Sequence, residues 1–167
     1  MDRAEPFVFW VFALPLIASA AGVLVARNPV SAAISLVVAF FFLAGIYVLL
    51  AAHLLAFLQV LVYAGAIMVL FLFVIMLLTT ADDVFARTRL KLMQAAGVLG
   101  AAGVVAVVVT AIRQAGPMPL SAPGAEFGTV RAVGRVLYTQ YLLPLEATSL
   151  LLLVAIVGAV VVAKARI

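Results

Sequence analysis

Apolar residues run along this chain in long stretches that few charged residues interrupt. A helix needs roughly 20 apolar residues to cross a hydrocarbon core about 30 Å thick. Three stretches of about that length run from Pro6 to Ala26, from Leu92 to Ile112 and from Leu142 to Ala163, and the only charged residue in them is Glu146. Each of these stretches predicts one transmembrane helix.

A fourth stretch is too long for one crossing. No Asp, Glu, Lys or Arg occurs between Asn28 and Ala81. A continuous helix of that length would extend roughly 81 Å, which is nearly three bilayers, so the chain must fold back once. The polar break near the middle is His53, after Ala51 and Ala52. This break predicts two spans, with His53 in the turn between them.

The pattern therefore predicts an all-α integral membrane protein with five transmembrane helices in a single membrane domain over residues 1–167. The expected spans are 6–26, 29–50, 54–78, 92–112 and 142–163.

Two connections differ in character. The segment from Asp82 to Lys91 is charged and predicts a short turn at the level of the lipid headgroups. An extramembrane loop is expected over 113–141. Its first part is rich in Pro and Gly, which disfavour helix, whereas its second part alternates Val with Gly and could form a small hairpin or a surface helix.

The basic residues predict the orientation of the chain, because short cytoplasmic loops carry an excess of Lys and Arg. The first and third connections and the C-terminus contain six: Arg27, Arg87, Arg89, Lys91, Lys164 and Arg166. The other side contains four, three of them in a long loop whose charges count less: Arg3, Arg113, Arg131 and Arg135. The N-terminus is thus expected outside the cytoplasm and the C-terminus inside it.

Composition excludes several classes of function. Hydrophobic residues make up 69% of the chain and charged residues 10%, and the mean hydropathy is +1.40, so a soluble domain is excluded. A net charge of +4 on so few charged residues makes nucleic-acid binding improbable. With no Cys and a single His, the chain alone cannot ligate an iron–sulfur cluster through thiolates, form a Cys₂His₂ zinc site or hold a haem between two histidines.

Glu146 is the one ionisable side chain inside a predicted span. It follows Pro144 by two residues, and Pro favours the first turn of a helix, where the macrodipole stabilises a carboxylate. One interpretation is a first-turn Glu that helps to start the fifth helix. The other is a role in a proton path or in contact with a partner, since charges within a bilayer are expensive.

The third span contains the other candidate residues. Gln59 and Tyr63 are four residues apart, so a helix would place them on one face, where they could bond to each other, to water or to a neighbouring helix. Gly65 weakens the helix locally and permits either close helix packing or a π-bulge. One terminal Glu cannot supply the relay of buried acids and bases that a stand-alone pump needs, so the chain is expected to work within a larger complex.

Two runs of sequence resemble a known family. The first reads VYAGAIMVLF from Val62 to Phe71, and the second extends from Gly134 through Tyr141, Pro144 and Glu146. Together with Asn28-Pro29 after the first helix, they resemble the J subunit (subunit 10) of bacterial respiratory complex I, the counterpart of mitochondrial NADH dehydrogenase subunit 6. The resemblance covers essentially the whole chain.

The resemblance implies a core membrane subunit of NADH–quinone oxidoreductase in the bacterial inner (cytoplasmic) membrane. NADH, FMN, the iron–sulfur clusters and quinone would then be bound by other subunits, with no cofactor on this chain. The expected partners are the lipid bilayer and the A, H, K and N subunits.

The resemblance also implies that the third helix carries a π-bulge that opens or closes a hydrated path. The residues that match the mobile segment are Tyr63 and Gly65, with Val69 and Phe71 after them. Several relatives carry Glu where this chain has Gln59. Because Gln cannot hold or release a proton near neutral pH, gating is favoured over proton transfer at that position. The alternatives are a small stand-alone carrier or channel and a purely structural helix-packing subunit.

Overall fold

A computed structural model of the chain describes residues 4–78, 90–114, 124 and 126–164. Most of these residues lie in helices and none lies in a strand, which confirms the all-α prediction. In chain order the elements are α1 Ala4–Val25, α2 Pro29–Leu49, α3 His53–Leu58, a π-helical segment Gln59–Ile67, α4 Met68–Leu78, α5 Leu90–Gln114, α6 Val130–Thr139 and α7 Leu142–Ala163.

Five helical stretches are long and apolar enough to cross a membrane, as predicted. They are Glu5–Val25, Pro29–Leu49, His53–Leu78, Ala96–Gln114 and Leu142–Ala163. The third of them, called the third span below, joins α3, the π segment and α4 without a break. His53 was expected in the turn, but it is the first residue of α3.

The junction between α1 and α2 follows from two residues. Asn28 has an extended backbone, and its side-chain oxygen accepts a hydrogen bond from the N–H of Val30 at 2.9 Å. Pro29 occupies the first helical position, where its missing N–H has no cost. Asn28-Pro29 therefore starts α2 as an N-cap followed by a Pro at N1.

Small residues bring α1 and α2 together. At Gly45 of α2 a Cβ atom would overlap the Phe12 ring of α1, and at Gly22 of α1 a Cβ atom would lie 3.3 Å from the hydroxyl oxygen of Ser35 in α2. Close approach through small side chains is the usual way for helices to associate in lipid, where no hydrophobic force drives them together.

A tight turn joins α2 to the third span. The N–H of Ala52 donates to Tyr47 O at 2.9 Å and that of Ala51 donates to Val48 O at 3.0 Å, the pattern of a Schellman motif. Ala51 has φ 57°, so it holds the left-handed position that Gly usually takes in this motif.

The predicted extramembrane loop contains a surface helix rather than a hairpin. Thr129 caps α6 by accepting the N–H of Ala132 at 3.2 Å. Exposed Arg131 and Arg135 lie on one side of α6, while Val133 and Leu137, also four residues apart, lie on the other. Such an amphipathic helix suits the membrane interface. The prolines of the loop and residues 79–89 lie outside the described residues.

The described helices fall into two compact units. One comprises α1 to α4 with α6 and α7, and the other comprises α5. Within the first unit, the third span packs against α2, and α7 packs against α6. A single membrane domain over the whole chain stays a prediction.

The first unit also joins the second and fourth connections of the chain. The N–H of Leu54, at the start of the third span, donates to Gly128 O at 2.9 Å. These two connections therefore meet, which agrees with a chain that crosses the membrane at every span and so has both of them on the same side.

Candidate functional site

The backbone of the third span changes its hydrogen-bond spacing at the π segment. At Gln59 the N–H still points to the carbonyls of Leu55 and Ala56. At the far end, the N–H of Met68 points to the carbonyls of Gly65 and Tyr63, and the latter lies five residues back, as in a π-helix. The span thus contains wide turns between two α-helical pieces.

Gly65 lies inside this segment, where a side chain would be crowded. A Cβ atom at residue 65 would lie 3.3 Å from the carbonyl oxygen of Val60, five residues earlier in the same helix. A substitution would therefore press on the backbone of the π segment itself. This distinguishes Gly65 from Gly45, where the obstacle is a neighbouring helix.

The two polar residues of the π segment have different environments. Gln59 is buried, with 7% of its surface exposed, whereas Tyr63 is 48% exposed. The Tyr63 ring meets Phe40 of α2 edge-on, with centroids 5.9 Å apart and an interplanar angle of 66°. In the part of the chain that the structure describes, no hydrogen bond joins the side chains of Gln59 and Tyr63. The contact that the structure shows for Tyr63 is therefore a ring contact to α2, and a hydrogen bond of its hydroxyl to a neighbouring helix stays a prediction.

The remaining candidates of the third span follow the π segment. Val69 and Phe71 lie in α4 and are each about half exposed. Val69 lines an apolar cavity of about 270 Å³, together with Val30, Leu72, Phe73 and Met76. Gln59, Tyr63 and Gly65 therefore belong to the wide turns, and Val69 and Phe71 belong to the helix that those turns orient.

Sequence reasoning missed two residues here. Met68, where the α-helix resumes, is buried to 3% exposure, and Phe40 supplies the ring contact to Tyr63. Neither differs in type from its apolar neighbours, so the sequence holds no signal that singles them out.

Glu146 lies elsewhere, and one expectation about it was wrong. Because α7 begins at Leu142, Glu146 is its fifth residue, and the first turn contains no acidic side chain. Its side chain is exposed, and its backbone carbonyl accepts a hydrogen bond from the Ser149 hydroxyl at 2.7 Å. The argument from Pro144 placed Glu146 in the first turn, but in a helix that begins at Leu142, Pro144 is the third residue and Glu146 already lies in the second turn.

Charged ligands are sparse in the described helices. No group of three His, Cys, Asp or Glu residues that could hold a metal ion occurs in the described ranges 4–78, 90–114 and 126–164. The candidate site is the π segment Gln59–Ile67 of one transmembrane helix, in a polytopic α-helical membrane protein.

Comparison with known proteins identifies the family. Residues 19–162 match the family NADH-ubiquinone/plastoquinone oxidoreductase chain 6, and the chain belongs to this family. It is 43% identical over 146 residues to NADH-quinone oxidoreductase subunit 10 of Thermus thermophilus, covering 83% of this chain and 79% of that one. It is 35% identical over 165 residues to subunit J of Rhodobacter capsulatus, covering 92% of this chain and 79% of that one. The resemblance stated from the motifs is confirmed.

Proposed function

We propose that this chain is a core membrane subunit of a proton-translocating NADH–quinone oxidoreductase and that its third span acts as a gate. The observation that carries the gate is the π segment Gln59–Ile67, which lies between two α-helical pieces of one transmembrane helix. Membership in the chain 6 family supports the role in the complex.

The gate works by rotating α4 about its axis, which changes the direction in which its side chains point. A π turn contains one residue more than an α turn. When it converts to an α turn, every later side chain shifts by one helical position, which rotates it by roughly 100° about the helix axis. Val69 and Phe71 lie just beyond the π segment, so they would turn with α4. Such a rotation exchanges an apolar plug for a gap that water can enter.

The polar groups of this segment suit gating better than proton transfer. Gln59 donates and accepts hydrogen bonds but does not titrate near neutral pH. Glu146 is exposed on α7, whose packing partner is α6 rather than the third span. We assign NADH, FMN, iron–sulfur clusters and quinone to other subunits, and we expect no activity from this chain alone.

The surface of the chain supports assembly with other subunits. Large apolar side chains along α7 are widely exposed, among them Leu150, Leu153 and Val157. A transmembrane face of this kind is covered by lipid or by neighbouring helices. We assign the A, H, K and N subunits as those neighbours, in the bacterial inner membrane, with the N-terminus outside and the C-terminus in the cytoplasm.

Replacing Gly65 by Leu tests the gate. The added side chain crowds the Val60 carbonyl and favours an α-helical register by roughly the 1 kcal/mol that Gly costs in a helix. We expect an assembled complex that oxidises NADH with an artificial acceptor but pumps protons at a severalfold lower rate. Normal pumping by a fully assembled complex would overturn the gate.

A milder pair of variants controls for helix propensity. Gly65→Ala and Gly158→Ala raise helix propensity equally, but a Cβ at residue 158 meets nothing within 4 Å in the described residues. Only the first variant should lower proton pumping.

Reconstitution of the purified chain distinguishes a complex subunit from a stand-alone carrier or channel. We expect no selective proton or ion flux into liposomes that contain this chain alone. Measurable selective flux would favour the carrier.

A further inference from the structure

A backbone contact ties the start of the third span to the segment before α6. The N–H of Leu54 is among the first N–H groups of α3, which have no partner within the helix. It donates to Gly128 O at 2.9 Å. A carbonyl from a distant part of the sequence therefore caps the helix that leads into the π segment.

The contact needs glycine at position 128 for two independent reasons. Gly128 has φ 69°, a left-handed conformation that residues with a Cβ seldom adopt. In addition, a Cβ atom there would overlap the carbonyl oxygen of Ala51 and crowd Ala52. The two backbones thus touch directly, and the obstacle is main chain that cannot rotate away.

Both sides of this contact are internally braced. Ala51 and Ala52 belong to the hydrogen-bonded turn that ends α2. On the other side, the N–H of Phe127 donates to Gly124 O at 2.8 Å, and the Thr129 hydroxyl donates to Glu126 O at 2.7 Å before α6 begins. Two ordered turns therefore meet, rather than two loose loops.

We infer that Gly128 is a positioning residue that fixes the helical phase at the start of the third span. Leu54 precedes Gln59 by only five residues of continuous helix. Because the start of the span is held, a change of hydrogen-bond register in the π segment must rotate α4. This helix carries Val69 and Phe71. This inference rests on the proposed gate, and it makes the segment before α6 part of the coupling apparatus.

The test compares Gly128→Ala with Gly134→Ala in the assembled complex. Gly134 lies in α6, where a Cβ would meet nothing within 4 Å in the described residues. We expect amide hydrogen exchange in the peptide that covers residues 53–58 to be about tenfold faster in Gly128→Ala, the change that loss of one hydrogen bond makes in a local opening. Equal exchange in the two variants would overturn the inference.

Proton translocation adds a readout that a purely structural contact would not move. In Gly128→Ala we expect fewer protons translocated per NADH oxidised, with NADH oxidation by an artificial acceptor unchanged. Should this variant fail to assemble, Leu54→Pro breaks the same contact from the other side and keeps glycine at position 128. It removes the donated N–H, which has no partner within the first turn of α3. An unchanged proton ratio in Leu54→Pro would also overturn the inference.

The outcomes separate this inference from the gate. If Gly65→Leu lowers pumping and Gly128→Ala does not, the gate stands and the positioning role fails. If Gly128→Ala speeds exchange at residues 53–58 but neither variant alters pumping, the contact stands and the gate fails.

Discussion

The α1–α2 pair and the third span both depend on glycine, but for different reasons. Gly45 lets the Phe12 ring of another helix approach, whereas Gly65 gives room to the Val60 carbonyl of its own helix. The first glycine holds two regular α-helices together, and the second permits an irregular one. Small residues in a membrane helix can thus serve either fixed packing or a change of register.

The two regions meet on α2. Gly45 of this helix lies against the Phe12 ring of α1, and Phe40 meets Tyr63 of the third span through an aromatic edge. An edge-on ring pair contributes only about 0.5–1.5 kcal/mol, and it can slide or re-form. The α1–α2 pair therefore provides the surface against which the third span packs, and the proposed gate requires the third span to turn against that surface.

The largest expected effect is that of Gly45→Ala. The new Cβ overlaps the Phe12 ring, and overpacking of this kind costs about 1–3 kcal/mol. We expect much less subunit in membranes, measured by immunoblot, and recovery when Phe12→Leu is added. A normal amount of Gly45→Ala protein would show that the α1–α2 pair is not rigid. Gly45 and Gly65 would then no longer differ as a fixed and a changeable contact.

A smaller effect is expected from Phe40→Leu, which removes the ring contact to Tyr63. Assembly should be normal, and the rate of coupled proton pumping should fall about twofold, in keeping with the modest energy of one ring pair. The control is Phe41→Leu, because that ring is 60% exposed and contacts Phe42 instead. Equal rates in both variants would remove Phe40 from the gate.

The smallest effect is expected from Glu146→Gln. The side chain is exposed in the second turn of α7, and the helix dipole acts mainly on the first turn. We expect the coupled rate to stay unchanged in an assembled complex. A large loss of pumping with normal assembly would assign a proton-path role to this carboxylate and would move the functional site away from the third span.

The five membrane-spanning helices could be predicted because the bilayer itself fixes the length of a charge-free helix. The start of α2 at Pro29 followed from Asn28-Pro29 in the same way. His53 was expected in the turn although it begins α3, since the exact ends of a helix depend on hydrogen bonds that residue types do not reveal. Glu146 was expected in the first turn although it is the fifth residue of α7, because Pro144 is the third residue of that helix rather than the first.

The candidate site was less predictable. Gly65 and Tyr63 could be identified from the motif, but the extent of the π segment depends on backbone hydrogen bonds and on packing against α2. A span that is apolar on every face gives no periodic signal, so Met68 and Phe40 could not be distinguished from their neighbours. The partnership of Leu54 with Gly128 joins distant parts of the sequence, and no local pattern predicts it.

The short turn between α2 and the third span has a consequence for biosynthesis. Only Leu50 to Ala52 separate the two helices, and no charged residue occurs from Asn28 to Ala81 to arrest either of them at the membrane surface. We therefore expect the insertion machinery to receive a single hydrophobic hairpin, whose two helices enter the lipid together. Arg27, immediately before it, is then the nearest signal that decides which way the hairpin points.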